Sequence, residues 1–238
     1  TQDQSDLYYN TPRVWYGQKR FTPQVSQEPQ SFDLPFIQYA DRLLSVDDAQ
    51  QYLSSHFEET PYDPVGSGTA EQKHRFRPVS LAKTQESHVL QLRPNMTPGL
   101  AGIQWLAMGV GAQSVYVPFY AGIDSTPEAY HLGTETYDSK SAYWTYKLVS
   151  VLLDAHYHTA LPTVSETQKA LRIAFKQAVQ ETDRGAQTLS GTELSRYLTQ
   201  RSNEVAELGL KRYRELAATL ITQATDLGPL NYHQDLNL

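Results

Sequence analysis

Apolar and turn-forming positions are most regularly arranged between residues 88 and 120, which read HVLQLRPNMTPGLAGIQWLAMGVGAQSVYVPFY. Strand-forming residues dominate three runs, at 88–93, 103–108 and 114–120, and prolines and glycines separate them. The third run carries apolar or aromatic side chains on both of its faces, where a half-solvated strand would alternate with polar ones. We therefore predict that residues 76–121 form mainly antiparallel strands that are covered on both sides.

The region before the strands shows less periodicity. Residues 1–40 are rich in Gln, Pro and Tyr, and their prolines argue against a long helix. We predict an irregular arm, whose aromatic side chains pack onto another part of the molecule. Ser45 begins an SVDD sequence typical of a helix N-terminus, and the apolar stripe that follows predicts a helix to about Phe57.

The region after the strands is predicted to be helical. Ser139 is expected to cap a helix over 139–158, and Pro162 is expected to break the helical structure after it. A second apolar stripe predicts a helix over 165–183. A third and longer helix is predicted over 190–224, because an SGTE sequence at its start matches a capping box. Three consecutive helices indicate an antiparallel helical layer at the C-terminus.

Composition excludes several classes of function. The 238 residues carry a net charge of −6, which argues against nucleic-acid binding because phosphate contacts need a basic surface. No apolar run approaches the roughly 20 residues that a membrane-spanning helix needs. The chain has no cysteine, so disulfides, thiolate metal ligands and a cysteine nucleophile are absent from these residues. We expect a cytoplasmic location, with which the absence of cysteine agrees.

Other reactive side chains do not form a recognisable catalytic or metal-binding motif. His156 and His158 are two residues apart, so on a helix they point in different directions, and we predict no metal site and no cofactor. No GxSxG sequence marks a serine nucleophile. Thr1 could act as a chain-terminal nucleophile, but the polar sequence after it does not predict the buried strand that such a group requires.

Several long motifs carry a family resemblance. They are YNTPRVWYGQKRFTP, ETPYDP and FRPVSLAKTQESHVLQLRP, followed by RPNMTPGLAGIQWLAMG and SVYVPFYAG. In this order they resemble the C-terminal half of the dipeptidase A family, the N-terminal-nucleophile (Ntn) cysteine dipeptidases of lactic acid bacteria, with secernins as more distant kin. Residue 1, which is not a methionine, would fall near the middle of such a protein, so we expect a fragment.

The resemblance implies an α+β fold in which the chain forms part of an Ntn-hydrolase four-layer αββα sandwich. It implies a single domain over residues 1–238, with antiparallel strands at 76–121 followed by a C-terminal helical layer at 139–224. In the family, an N-terminal cysteine attacks the peptide carbonyl with its own amino group as general base. That cysteine belongs to the other half, so we expect no catalytic residue here and no hydrolysis by this chain alone.

Four polar or aromatic residues of the strand region are candidates for a substrate-pocket wall: Arg93, Asn95, Gln104 and Trp105. An unbonded polar group in a buried strand costs about 1–3 kcal/mol, so each of these side chains needs a partner. The partners could be neighbouring turns and strands, or the termini of a bound dipeptide. Tyr62, Asp63 and Arg77 lie in motifs of the resemblance and have the same two interpretations.

Two hypotheses on function remain open. The chain is either the C-terminal portion of a dipeptidase, with a dipeptide substrate and the N-terminal half as partners, or a non-catalytic structural or assembly module. A lone half would leave sheet edges and an apolar face without partners. We therefore expect association, with the other half or as a homo-oligomer through residues 88–120. We expect neither nucleic acid nor a membrane as a partner.

Overall fold

The computed structural model describes residues 3–228, which combine one antiparallel sheet with short N-terminal and long C-terminal helices. The sheet contains β1 (Glu86–Leu92), β2 (Gly102–Met108) and β3 (Val117–Tyr120), in the order β1–β2–β3. The structure confirms that the chain mixes helices and strands, that the strands pair antiparallel, and that a helical region follows them. Residues 3–228 contain no second sheet, so the four-layer sandwich remains a proposal.

Short helices make up much of the N-terminal region: α1 (Asp6–Tyr9), α2 (Thr11–Phe21), α3 (Val46–Leu53) and α4 (Ala70–Lys73). The prediction of an irregular arm over residues 1–40 is therefore wrong at α2. Pro12 does not oppose this helix, because it lies in the first turn, where a backbone N–H has no intrahelical acceptor. Trp15 and Tyr16 form the buried side of α2, which agrees with the expectation that the arm packs onto the molecule.

The predicted cap of α3 is confirmed. The Ser45 hydroxyl accepts a hydrogen bond from the backbone N–H of Asp48, whose carboxylate accepts from the backbone N–H of Ser45. The helix ends at Leu53 and does not reach Phe57 as predicted. Phe57 has a φ of 71°, in the left-handed region, which a right-handed helix cannot include.

The sheet has one covered and one partly open face, so the expectation of burial on both sides is wrong for β1. Leu90 pairs with Gln104, which pairs with Phe119, and these three side chains point to the same face. On that face Leu90 is 67% exposed and Leu92 is 83% exposed. Only β3, all of whose residues are buried, matches the prediction fully. It begins at Val117 because the segment before it contains a 3₁₀ turn, Gly111–Gln113.

Two short helical segments flank the strands. Helix α5 (Pro98–Ala101) precedes β2, and a 3₁₀ turn at Glu128–His131 follows Pro127. The long helices are α6 (Ala142–Ala155), α7 (Tyr157–Gly185) and α8 (Gly191–Thr225). All three were predicted in type and approximate position.

Their starts differ from the predictions. Ser141, not Ser139, caps α6 by accepting a hydrogen bond from the Trp144 backbone N–H. Pro162 does not end the helix but lies inside α7 as its sixth residue, where it has no N–H to donate to the carbonyl four residues earlier. The side chain of Ser190 makes no capping hydrogen bond, so the predicted capping box of α8 is not formed.

Buried side chains form two separate groups. The main core lies between the covered face of the sheet and α6, α7 and α8, and its largest fully buried members include Tyr146, Phe175 and Tyr213. The second group, the aromatic cluster, consists of Trp15, Tyr16, Phe57 and Phe76. Its rings meet mainly edge to face, with 5.3 Å between the ring centroids of Tyr16 and Phe57.

Candidate functional site

A cavity lies between the N-terminal region and helix α7, and we call it the polar cavity. Its volume is about 910 Å³, within the usual range for small-molecule sites. One wall is formed by α3 and the loop at 54–66, and the other by one face of α7. The first wall includes Gln50, His56 and Glu58, and the second includes Tyr157 and Lys169.

A hydrogen-bonded cluster occupies one end of the polar cavity. His56 Nδ1 lies 2.8 Å from Asp63 Oδ1, which also accepts a hydrogen bond from the backbone N–H of Val65 at 3.0 Å. Because an aspartate accepts, Nδ1 of His56 carries a proton and Nε2 faces the cavity side. The Tyr157 hydroxyl lies 3.4 Å from this Nε2, and a Glu58 carboxylate oxygen lies 3.5 Å from it. Contacts on both ring nitrogens therefore fix the orientation of the His56 imidazole.

Local backbone geometry holds this cluster. Phe57 and Glu59 both have positive φ values, of 71° and 62°, which is unusual for residues other than glycine. The side chain of Phe57 is fully buried in the aromatic cluster, so the carboxylate of Glu58 is held at the cavity wall. The Tyr16 hydroxyl donates to that carboxylate at 3.0 Å. The site therefore depends on packing that is remote from it in the sequence.

Burial and nearby carboxylates set the protonation of Tyr157. Burial raises the pKa of Tyr157 to about 12, and the negative charges of Asp63, Glu58 and Asp154 contribute to the shift. The phenol consequently stays neutral at physiological pH and donates its hydrogen bond. The phenol oxygen lies 3.4 Å from Nε2 of His56.

A second cavity, of about 550 Å³, lies on the open face of the sheet. Its walls are mainly apolar, and Leu90, Leu106, Met108 and Phe119 are among them. Gln104 is a polar side chain in this lining. We call this depression the sheet-face cavity.

The structure places the four predicted pocket residues in different environments. Gln104 is exposed in the sheet-face cavity, and Asn95 is exposed in the turn after β1. Trp105 points to the opposite face from Gln104, where its indole N–H donates to the side-chain oxygen of Gln91 at 3.0 Å. These three side chains are therefore not brought together in one pocket.

Arg93 has partners within the main core. Its guanidinium forms two hydrogen bonds with Asp183 of α7, at 2.6 and 3.1 Å, and a third with the carbonyl of Leu100. The hydroxyl of Tyr120 donates to the same carboxylate at 2.8 Å. Burial and this hydrogen bond raise the pKa of Tyr120. The network ties the sheet to α7, which favours the structural interpretation of Arg93.

The other residues singled out from the sequence also find clear positions. Tyr62 packs on Phe76 with 4.5 Å between ring centroids, and the Arg77 guanidinium lies over the ring of Tyr9. Of these residues, Asp63 lines the polar cavity, and Tyr62 and Arg77 do not. His158 lines the polar cavity without His156, and Thr1 lies outside the described residues. Within residues 3–228, no group of three acidic or histidine side chains is placed to bind a metal ion.

Sequence reasoning missed His56 and Tyr157, which meet across 101 positions of the chain. A possible signal was the HFEETPYD sequence, in which a histidine, three acidic residues and a tyrosine occur close together. Tyr157 had no comparable signal, because it was assigned to the end of the preceding helix. In the structure, it is the first residue of α7.

Comparison with known proteins defines the class as peptidases. The model of Peptidase family C69 matches residues 1–170, and the chain belongs to this family. A "Probable dipeptidase" of Latilactobacillus sakei is 38% identical over 238 residues, which cover 100% of this chain and 50% of that protein. "Dipeptidase A" of Lactobacillus helveticus is 35% identical over 230 residues, which cover 95% of this chain and 48% of that protein.

A third relative, "Probable dipeptidase B" of Lactococcus lactis, is 37% identical over 217 residues, covering 91% of this chain and 45% of its own length. The chain thus spans about half the length of the relatives it matches. The resemblance read from the motifs is confirmed. In the part of the chain that the structure describes, no helix combines the length and apolar character needed to cross a bilayer.

Proposed function

We propose that this chain is the C-terminal portion of a peptidase that hydrolyses dipeptides. The observation that carries the proposal is the match to relatives named dipeptidases, which extends over the whole of this chain in the L. sakei protein. Because the chain corresponds to about half of those proteins, the remaining half is where the nucleophile is proposed to lie. The enzyme is proposed to act in the cytoplasm, without a cofactor.

The proposed mechanism is that of an Ntn cysteine hydrolase. A cysteine at the start of the other half attacks the peptide carbonyl, and its free amino group takes up the thiol proton. Hydrogen-bond donors stabilise the oxyanion of the tetrahedral intermediate. Its collapse breaks the peptide C–N bond, the protonated amino group gives its proton to the leaving amine, and water then hydrolyses the thioester to release the second product and restore the thiol. This chain contains no cysteine, so its part in the mechanism is to complete the scaffold and the pocket.

Arg93, Asn95, Gln104 and Trp105 remain the proposed contributions of this chain to the pocket wall. Gln104 is the side chain best placed for direct contact, because it is exposed within a cavity and has both amide donors and an acceptor. Asn95 lies in an exposed turn, and its contact with substrate would require that the turn face the other half. Arg93 and Trp105 would act indirectly, by fixing the positions of β1 and β2.

The other half of the protein is proposed to cover two exposed apolar surfaces. One is the open sheet face with Leu90 and Leu92. The other is the irregular segment 33–45, in which Phe36, Tyr39 and Leu43 are almost completely exposed. Apolar surface of this extent favours association, so the chain by itself is proposed to form homo-oligomers.

The proposal is tested by assaying unblocked dipeptides with this chain and with a full-length protein that includes the preceding half. We expect hydrolysis only by the full-length protein, and loss of that activity when its N-terminal cysteine is replaced by alanine. In the full-length protein, Gln104→Ala should raise KM more than it lowers kcat, whereas Gln200→Ala, at an exposed position of α8, should change neither. Full-length protein that folds but hydrolyses no dipeptide would refute the proposal.

A further inference from the structure

Two arginines of the N-terminal region lie close together without a carboxylate partner. Nε of Arg13, on α2, donates to the backbone carbonyl of Arg77 at 3.4 Å. Burial and the positive charge of Arg77 lower the pKa of Arg13, because the two guanidinium groups repel each other. Neither side chain forms an ion pair with any residue from 3 to 228, in contrast to Arg42, which pairs with Asp48 at 2.6 Å. Two neighbouring positive charges are therefore left uncompensated by the described residues.

Most donors of these two guanidinium groups have no acceptor. Within residues 3–228, Nη2 of Arg13 and Nε of Arg77 are enclosed by protein and form no hydrogen bond. Nη1 of Arg13 and both Nη atoms of Arg77 also lack an acceptor in this range, but they are not enclosed, since both side chains are only half-buried. A guanidinium fork binds a carboxylate at two points, and these outer nitrogens are the ones that a carboxylate can reach.

Exposed tyrosines adjoin the two arginines. The Arg77 guanidinium lies 5.8 Å from the centroid of the Tyr9 ring, and the Arg77 backbone N–H donates to the carbonyl of Tyr8 at 3.0 Å. Both tyrosines are 48% exposed. Tyrosine and arginine are enriched in protein–protein interfaces and dominate their hot spots. We call Tyr8, Tyr9, Arg13 and Arg77 the arginine surface, and its composition favours a protein partner over a free small anion.

The preceding half of the protein is the partner that best fits this surface. The choice rests on the proposed function, in which this chain is the C-terminal portion of a longer protein. That half would be joined to residue 1, and the described structure starts at Asp3, just before α1 with its two tyrosines. So short a connection gives the two surfaces a high effective concentration. A second copy facing this surface with its own arginine pair would be repelled, because like charges would meet.

We propose that the arginine surface is an interface with the preceding half, and that an aspartate or glutamate of that half binds the guanidinium groups of Arg13 and Arg77. The carboxylate contacts the outer guanidinium nitrogens, and an apolar side chain beside it packs on the rings of Tyr8 and Tyr9. Loss of the carboxylate would leave two partly buried charges unpaired, so the contact favours one arrangement of the two halves.

Zero-length cross-linking of the full-length protein tests for this carboxylate. Arg13→Lys and Arg77→Lys keep the positive charge and introduce an amine that carbodiimide couples to a contacting carboxylate. We expect at least one of these variants to gain a cross-link, absent from the unsubstituted protein, to an acidic residue that precedes residue 1. Arg42→Lys is the positive control, because its ion pair predicts a link to Asp48. Arg184→Lys, at an exposed position without an ion pair in residues 3–228, should gain no link.

A double-mutant cycle separates a direct contact from a structural role of the arginine. Arg77→Gln, or Arg13→Gln where position 13 is the linked one, is combined with the amide substitution of the cross-linked acidic residue. Hydrogen exchange is then measured over residues 6–14 of the full-length protein. Each single variant should accelerate exchange by about tenfold, since a charged hydrogen bond is lost. The double variant should exchange no faster than either single variant, and Arg184→Gln should leave exchange unchanged.

Four results would overturn the proposal. A link from position 13 or 77 to a carboxylate within residues 1–238 of the same molecule, or to a second copy in isotopically mixed protein, would assign the surface to another partner. Absence of a link from both positions, while position 42 links to Asp48, would show that no carboxylate lies there. Additive effects in the cycle would leave the arginine a structural role only. Because no hydrolysis is measured, a full-length protein that cleaves dipeptides but gains no link would refute this inference alone, and a linked but inactive protein would refute only the proposed activity.

Discussion

The main core and the aromatic cluster are built in different ways. The main core joins long helices and a sheet whose apolar positions recur at regular spacing, as in the buried side of α8. The aromatic cluster joins Trp15, Tyr16, Phe57 and Phe76, which come from one helix and two irregular segments. Regular spacing identifies a core from local sequence, whereas the cluster exists only because loops bring distant rings together.

Side-chain hydrogen bonds to backbone carbonyls hold the aromatic cluster, whose irregular segments have no strand pairing. The indole N–H of Trp15 donates to the carbonyl of Gln27 at 2.8 Å, and the Tyr52 hydroxyl donates to the carbonyl of Arg13 at 2.9 Å. The polar cavity lies between the two regions, with one wall from each. The shape of this candidate site therefore depends on how firmly the aromatic cluster is held.

The largest expected effect is in the main core. Phe175→Ala removes a ring that is 1% exposed and should lower the free energy of unfolding by about 3–5 kcal/mol, because it leaves a cavity among long helices. Ile173→Ala, at a half-exposed position of the same helix, should cost less than about 1 kcal/mol. Denaturant unfolding measures both. Equal losses would show that α7 is not packed as described.

Replacing a phenylalanine by alanine in the aromatic cluster should destabilise mainly the N-terminal region and not the whole molecule. Phe57→Ala removes a fully buried ring, but we expect increased amide exchange mainly in residues 11–21 and 46–66. Protection of α8 should change little, because its buried side contacts the main core. Hydrogen exchange read by mass spectrometry tests this. If α8 loses protection to the same extent, the two regions form one cooperative unit.

The ion pair between Arg93 and Asp183 provides an intermediate effect within the main core. Arg93→Lys keeps the charge but loses the two-point contact, and we expect a loss of about 1–2 kcal/mol, since the side chains are 17% and 23% exposed. Arg212→Lys, whose pair with Glu215 is about half exposed, is the control and should stay within about 0.5 kcal/mol. Unchanged stability of the Arg93 variant would favour its role in the pocket wall.

The stability cost of removing a capping serine should also differ between the regions, but by less. Ser45→Ala removes a complete capping box from α3 and should cost about 1 kcal/mol. Ser190→Ala removes no side-chain cap from α8, so its cost should be only a few tenths of a kcal/mol. Thermal unfolding of both variants measures the difference. A larger effect at Ser190 would mean that its hydroxyl caps α8 in solution.

An effect confined to alkaline pH is expected at the boundary between the regions. Burial, assisted by nearby carboxylates, raises the pKa of Tyr157 to about 12, above its usual value near 10. Between these values the unfolded chain releases the proton and the folded chain keeps it, so this stabilising contribution is complete below pH 10 and is lost as the pH rises to 12. Tyr157→Phe should make unfolding less sensitive to pH in that window. An unchanged slope would show that Tyr157 is already solvated.

Much of the fold was predictable from the sequence because its signals are local. Periodicity over 190–224 predicted α8 to within one residue at each end, and the SVDD sequence identified the cap of α3. The three strands were located because proline and glycine punctuate them. Their pairing in sequence order follows from short connections. The family could also be recognised from the sequence, since the resemblance rests on long linear motifs.

The sites were less predictable because they depend on which distant residues meet. Nothing local indicates that Arg93 reaches Asp183, that His56 reaches Tyr157, or that Gln50 and Ser114 line the same cavity. Nor does local sequence decide that one side of β1 stays open to solvent. By itself the sequence determined the three strands, the long C-terminal helices, the mixed class and the family, since these reflect short-range patterns. Only the tertiary structure decided the partners of buried polar groups, because burial is a property of the whole packed chain.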